Sequence, residues 1–160
     1  MYRAPHRVRI RDLVDILIGQ RTGGVVMQAP QHGIFEVQIV GRVLVCKTMG
    51  DWNEVAVNNL RTEAARQRQQ FAPGTWGLLV DARQWSAATP EAVSAWENGF
   101  EMDAITAGVV GIAMVLPSNF HRVMIRDLTR RLEQRCERHE GLDIDAAWAW
   151  LRDRLQRVPS

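Results

Sequence analysis

The chain has 160 residues, 46% of them hydrophobic and 24% charged, with a formal charge of +2. That balance excludes whole-chain disorder, and the length fits one domain that buries about 70% of its unfolded surface without staples. No segment approaches the ~18 consecutive apolar residues of a membrane-spanning helix.

The basicity is almost all arginine, since Lys47 is the only lysine. Cys46 and Cys136 lie far apart, and neither has a metal-ligand neighbour at useful spacing, so both are expected as buried free thiols in a reducing compartment. The apolar run from Leu13 to Ile18 is interrupted by Asp15 and lacks a signal-peptide core, which makes the cytoplasm the expected location.

Residues 1–33 form an N-terminal lead, read as a short amphipathic helix and linker. Arg3, Arg7, Arg9 and Arg11 precede or flank Ile10, Leu13, Val14, Leu17 and Ile18, an apolar set at helical spacing. Gly23-Gly24 and Pro30 then break the pattern. An α/β domain is expected over residues 34–157. Phe35, Val37 and Ile39 alternate with Glu36 and Gln38, the period of a half-buried strand, and Gly41-Arg42 turns the chain into a second strand from Val43 to Thr48. Asp51 followed by Glu54 resembles a capping box. The helix it opens carries Val57, Leu60, Ala64 and Phe71 on its inner face and ends at Pro73-Gly74.

Trp76 to Asp81 reads as the third strand, and Thr89-Pro90 as the cap and first residue of a helix with Val93, Trp96, Phe100 and Ala104 inside. Val109 to Leu116 is nearly all apolar and is expected to be the most buried strand. A third helix from about Asn119 would turn Phe120, Met124, Leu128 and Leu132 inward. Arg135 to His139 is compatible with an edge strand or a turn, and a last helix begins near Asp145. This order calls for a mixed sheet, mostly parallel after an opening β-hairpin, with helices packed against it.

The segments GRVLVCKTMGDWNE, GTWGLLVDARQW, TPEAVSAW, GIAMVLPS and DAAWAWL, in that order, resemble the STAS-like superfamily. That group includes bacterial anti-sigma factor antagonists and the cytoplasmic domains of sulphate transporters. The likeness is nearest to small uncharacterised bacterial members, through Gly50, Trp52 and Asn53 and then Ala147, Trp150 and Leu151, and covers residues 34 to 155. It implies a regulatory domain that works by contact with other proteins. Antagonists that work by phosphorylation carry an Asp-Ser-Ser-Gly-like motif at the start of the helix after the third strand. Here Trp85-Ser86-Ala87-Ala88-Thr89-Pro90 stands there, leaving Ser86 and Thr89 as candidate hydroxyls without the surrounding motif.

Asp81, at the end of a strand, sits where ligands collect in open α/β sheets. It lacks the further carboxylates and the lysine that phosphoryl chemistry needs, so a role accepting backbone N–H bonds in a loop is expected. His6, His32, His121 and His139 have no zinc spacing, and no nucleophile elbow, Walker loop or dinucleotide fingerprint is present. The sequence therefore assigns no catalytic residue, no metal and no cofactor, and the chain is read as a non-enzyme. Arg122, Arg126, Arg130, Arg131, Arg135 and Arg138 are interleaved with Asp127, Glu133 and Glu137, a solvated helix face rather than a nucleic-acid stripe. Glu91, Glu97, Glu101 and Asp103 make the preceding helix acidic, so the domain is expected to be electrically two-sided. Trp148 and Trp150 lie about 200° apart on their helix, so at least one is expected at the surface.

The resulting reading is an interaction or regulatory domain whose contact or switch positions are drawn from Asp81, Trp85, Ser86, Thr89, Trp148 and Trp150. A protein partner or self-association follows from it, the latter through exchange of the N-terminal helix into a homodimer across the Gly23-Gly24 hinge. Asp12 and Asp15 weigh against a membrane as the cover for that helix. The alternative is a carrier of a small apolar ligand or lipid, because STAS-like folds resemble lipid-exchange domains in architecture.

Overall fold

The computed structural model describes residues 30–71, 73–130 and 135–158. The N-terminal helix, the glycine hinge, Arg131, Leu132 and Glu133 lie outside the described residues. Strands β1 (Ile34–Val40) and β2 (Val43–Trp52) form the hairpin, followed by α1 (Glu54–Arg68) and β3 (Trp76–Ala88). Then come α2 (Pro90–Ala95), a π-helical turn (Trp96–Glu101) and α3 (Met102–Thr106), running as one rod into β4 (Val109–Val115). Helix α4 (Asn119–Thr129), β5 (Arg138–Gly141) and α5 (Ile144–Arg157) complete the described order.

The hairpin turns on two residues, with Gly41 at φ 60° and Arg42 on the negative side, the arrangement of a type II′ turn. The sheet order is β1-β2-β3-β4-β5, antiparallel at the first pair and parallel at the other three. This is the mixed, mostly parallel α/β sheet read from the sequence. Because the strands follow one another without a reversal, successive crossovers of one hand leave their helices on one face. The two cores show the result. Leu44, Cys46, Leu78, Val80, Ile112 and Met114 pack against Leu60, Phe100 and their neighbours, whereas Val45, Leu79, Ala113 and Val115 pack against Ala147, Leu151 and Leu155 of α5. Each fully buried Leu in these cores contributes about 1.5–3 kcal/mol.

Several expectations need correction. The α1 cap is Asn53, whose side chain accepts from Ala56 N at 3.1 Å, because β2 runs on through Asp51 to Trp52. Helix α1 ends at Arg68, so Phe71 lies beyond it and stacks on Trp76 with centroids 5.7 Å apart. β3 is the middle strand of the five, and β4, flanked on both sides, is buried from Gly111 to Val115 as expected of the 109–116 segment. β3 extends seven residues past Asp81, paired there with the lengthened β2 alone. Arg138 and His139 belong to the edge strand β5, not to the third helix, and Arg135 and Cys136 precede that strand.

Phe120 is not in the inner stripe but 73% exposed, and Val123 beside it is 59% exposed. Helix α4 has two apolar arcs, and the sheet takes Ile125 and Leu128 with the buried Thr129. The acidic face of the second helix is largely cancelled. Asp103 pairs with Arg61 at 2.9 Å, and Glu101 is fully buried against Arg138 at 2.8 Å. The π turn accounts for that burial, because its i→i+5 period brings Trp96 over Glu101, and the indole Nε1 donates to Glu101 Oε1 at 2.9 Å. Among the described residues no helix is long and apolar enough to cross a membrane.

Candidate functional site

The fold sorts the six sequence-picked positions onto different faces. Trp85 and Thr89 belong to the face covered by α1, α2 and α4. Strand alternation sets Asp81 on the α5 face with Leu79, and Trp148 and Trp150 lie on α5 itself. The six do not form one site.

Asp81 is level with Lys47 on β2 and Val115 on β4, the last rung of β4. It lies within a strand, not in a loop. It accepts the Arg83 backbone N–H at 3.2 Å and both guanidinium arms, Nε and Nη2, at 2.8 Å. The Arg83 guanidinium holds this carboxyl below the usual carboxylate range, with Lys47 adding to the effect. A carboxylate clamped in this way is a poor base, since its lone pairs are engaged and its proton affinity is lowered.

Ser86 is exposed on the β3 extension, not at a helix start. Thr89 caps α2 as read from the sequence, its hydroxyl accepting from Ala92 N at 3.2 Å while its own N–H donates to Trp52 O at 3.0 Å. Trp148 and Trp150 are both half-buried. Trp150 stacks on His139, with centroids 5.7 Å apart, and covers Gly111 so closely that a Cβ there would lie 2.8 Å from the ring. Its burial is explained by packing alone.

The principal concavity is on the opposite face, between α2 with its π turn and α4. It is lined by Val80, Ala82 and Met114 of the sheet, by Val93 and Trp96 on one side and Ile125 and Leu128 on the other, and by Trp52 and Trp85 of the lengthened β2 and β3. Ala82, Ala88 and Ala92 explain the gap, since three methyl side chains stand where larger ones would fill the space beneath a loosely seated helix. The cavity is about 50 Å³ and almost entirely apolar, with Thr48, Thr129 and Glu97 as its polar lining. That is room for one side chain or a few waters.

From Trp85 an aromatic strip runs to the surface. Trp85 meets His121 edge-on at 5.4 Å, and His121 meets the exposed Phe120 at 5.7 Å. Ser118 starts α4, and its hydroxyl lies 2.8 Å from His121 Nδ1, which fixes the imidazole. Sequence reading missed this strip because it placed Phe120 inside, and helical spacing alone does not say which of the two apolar arcs of α4 meets the sheet. Among the described residues no group of three or more His, Cys, Asp or Glu is placed to hold a metal ion.

Beneath α4 lies a buried charge network with no local signature in the residue pattern. Arg138 binds Glu101 through Nη1 at 2.8 Å and Nη2 at 3.0 Å, and Glu140 through Nε at 3.0 Å. Arg126 of α4 reaches Glu140 at 3.6 Å from the surface.

Solved structures share this architecture. An uncharacterised protein of the DUF3478 family with a SpoIIAA-like fold, from Shewanella loihica, matches with a TM-score of 0.53 and 13% identity over 79% of this chain and 98% of its own. An anti-sigma factor antagonist from Mycobacterium paratuberculosis matches with a TM-score of 0.52 and 16% identity over 79% of this chain and 100% of its own. At such identities the likeness shows the fold, which is STAS-like. No family model and no curated protein matches the sequence.

Proposed function

We propose that this STAS-like domain is a non-enzymatic regulatory module that docks a protein partner on the face formed by Phe120, His121 and Trp85 beside the α2–α4 crevice. The observation that carries the reading is Phe120, 73% exposed on a helix whose described buried set is Thr129 alone. Exposed aromatic side chains running into a concavity are the usual anchors of protein contacts. The anti-sigma factor antagonist that shares the fold is named for action on a regulatory protein, which favours the same class of task. The clamped Asp81 argues against an acid–base centre. The size of the cavity argues against the carrier reading, because ligand pockets run to ~300 Å³ and more. Of the two candidate hydroxyls, Ser86 is the one open to modification, since Thr89 uses its oxygen in the α2 cap.

A photo-crosslinking amino acid at position 120 of the full chain, expressed in its native host, tests the assignment. A discrete crosslinked protein is expected from position 120 and none from the exposed position 152 on α5. Crosslinks from position 152 with none from position 120 would place the contact on the wrong face.

A further inference from the structure

The described chain begins beside the crevice. Asn53 donates through Nδ2 to Pro30 O at 2.8 Å and accepts His32 N on Oδ1 at 3.2 Å, while Gly33 lies against the Trp52 indole. Residues 30–33 are thus fastened to the start of α1, and Trp52 itself lines the crevice. Residues 19–29 connect this point to the apolar set of the lead and span at most roughly 36–40 Å when extended. That is enough to reach the crevice, since Trp52 beside the tether point lines it.

We propose that residues 10–18 dock as an amphipathic helix in the α2–α4 crevice of their own molecule, with one Leu or Ile side chain filling the cavity. The inference rests on the reading of this face as a docking surface, and it makes the chain's own segment the resident occupant that a partner must displace. Three features fit this occupant. The cavity holds a single apolar side chain, and the lead offers five at helical spacing. Both helices that begin beside Trp52 present exposed carboxylates, Glu54 on α1 and Glu91 on α2, with Asp51 on the adjoining strand, and these complement in charge Arg7, Arg9 and Arg11 of the lead. The short connection keeps the segment at about millimolar effective concentration, so its own crevice outcompetes that of a second copy at ordinary protein concentrations.

Paramagnetic NMR on the full chain decides this. A nitroxide on Gln20→Cys, with the buried Cys46 and Cys136 unreactive, should broaden the indole signals of Trp85 and Trp96 and spare Trp148 and Trp150 across the sheet. In a mixture of isotope-labelled, nitroxide-free chains with unlabelled, nitroxide-bearing chains, the same signals should stay sharp. Adding Leu13→Glu and Leu17→Glu to the nitroxide chain should abolish the broadening, and in the crosslinking assay these two changes should raise the yield from position 120 several-fold. Absence of selective broadening, broadening in the mixture, or broadening that survives the two glutamates would overturn the proposal. A partner crosslink at position 120 without the intramolecular broadening would leave the docking face standing and remove the resident helix. Broadening without any crosslink would do the reverse.

Discussion

Replacing Arg138 with Met removes the cation that two buried carboxylates share. The Arg138 and Glu101 side chains are 3% and 0% exposed, and Glu140 is 5% exposed. The guanidinium supplies both short contacts to Glu101 and one to Glu140, and Arg126 reaches Glu140 only at 3.6 Å. Deleting one member of a buried ion pair costs about 3–5 kcal/mol, because the partner stays desolvated without compensation. With two carboxylates stranded the upper end applies, a large share of the 5–15 kcal/mol typical of whole domains. At roughly 2–4 °C per kcal/mol for a chain of this size, the midpoint should fall by about 10–20 °C. Urea unfolding followed by far-ultraviolet circular dichroism measures the loss, and an unchanged slope shows that a single transition persists. Glu101→Gln combined with Arg138→Met should cost less than Arg138→Met alone, since the glutamine still accepts the Trp96 indole and one stranded charge is gone. A loss below about 1 kcal/mol for Arg138→Met, or a double variant as costly as the two singles added, would refute the argument that this network is a closed electrostatic unit.

The remaining predictions are simpler. Phe100→Ala should cost about 3–5 kcal/mol, whereas Phe120→Ser should stay within about 0.5 kcal/mol, and equal losses on thermal melting would contradict the placement of the two rings. Gly111→Ala should destabilise by about 1–3 kcal/mol by driving Trp150 off the sheet, visible as a shift in tryptophan emission. The folded Asp81 carboxyl lies below its unfolded value, so its stabilising share is present above about pH 4 and lost as pH falls through the folded value. Asp81→Asn should therefore flatten the acid limb of the stability profile, and an unchanged slope would show that the Arg83 clamp contributes nothing. Burial pushes both cysteine thiols up, so neither should react with a thiol reagent near neutral pH until the protein is unfolded, and rapid native labelling of Cys46 would mean that β2 opens.

The sequence by itself determined the order and type of the elements apart from β5, because those signals are local. Alternation in 35–39, the apolar run of 109–116 and the Thr89-Pro90 start each reflect a backbone period or cap that operates within a few residues. Three decisions were not local. The extension of β3 through Arg83 to Ala88 carries no alternation and exists because β2 lengthens beside it. Phe120 could face the sheet or the solvent on helical spacing alone, and in the folded domain Ile125 and Leu128 face the sheet instead. Glu101 read as one more acidic surface residue until a π turn and a strand 37 positions along the chain brought Arg138 to it. A buried charge is tolerable only with a counter-charge at contact distance, and a surface aromatic is exposed only if nothing else covers it. Both conditions are set by residues remote in sequence, which is why the tertiary structure alone decided the face this domain presents.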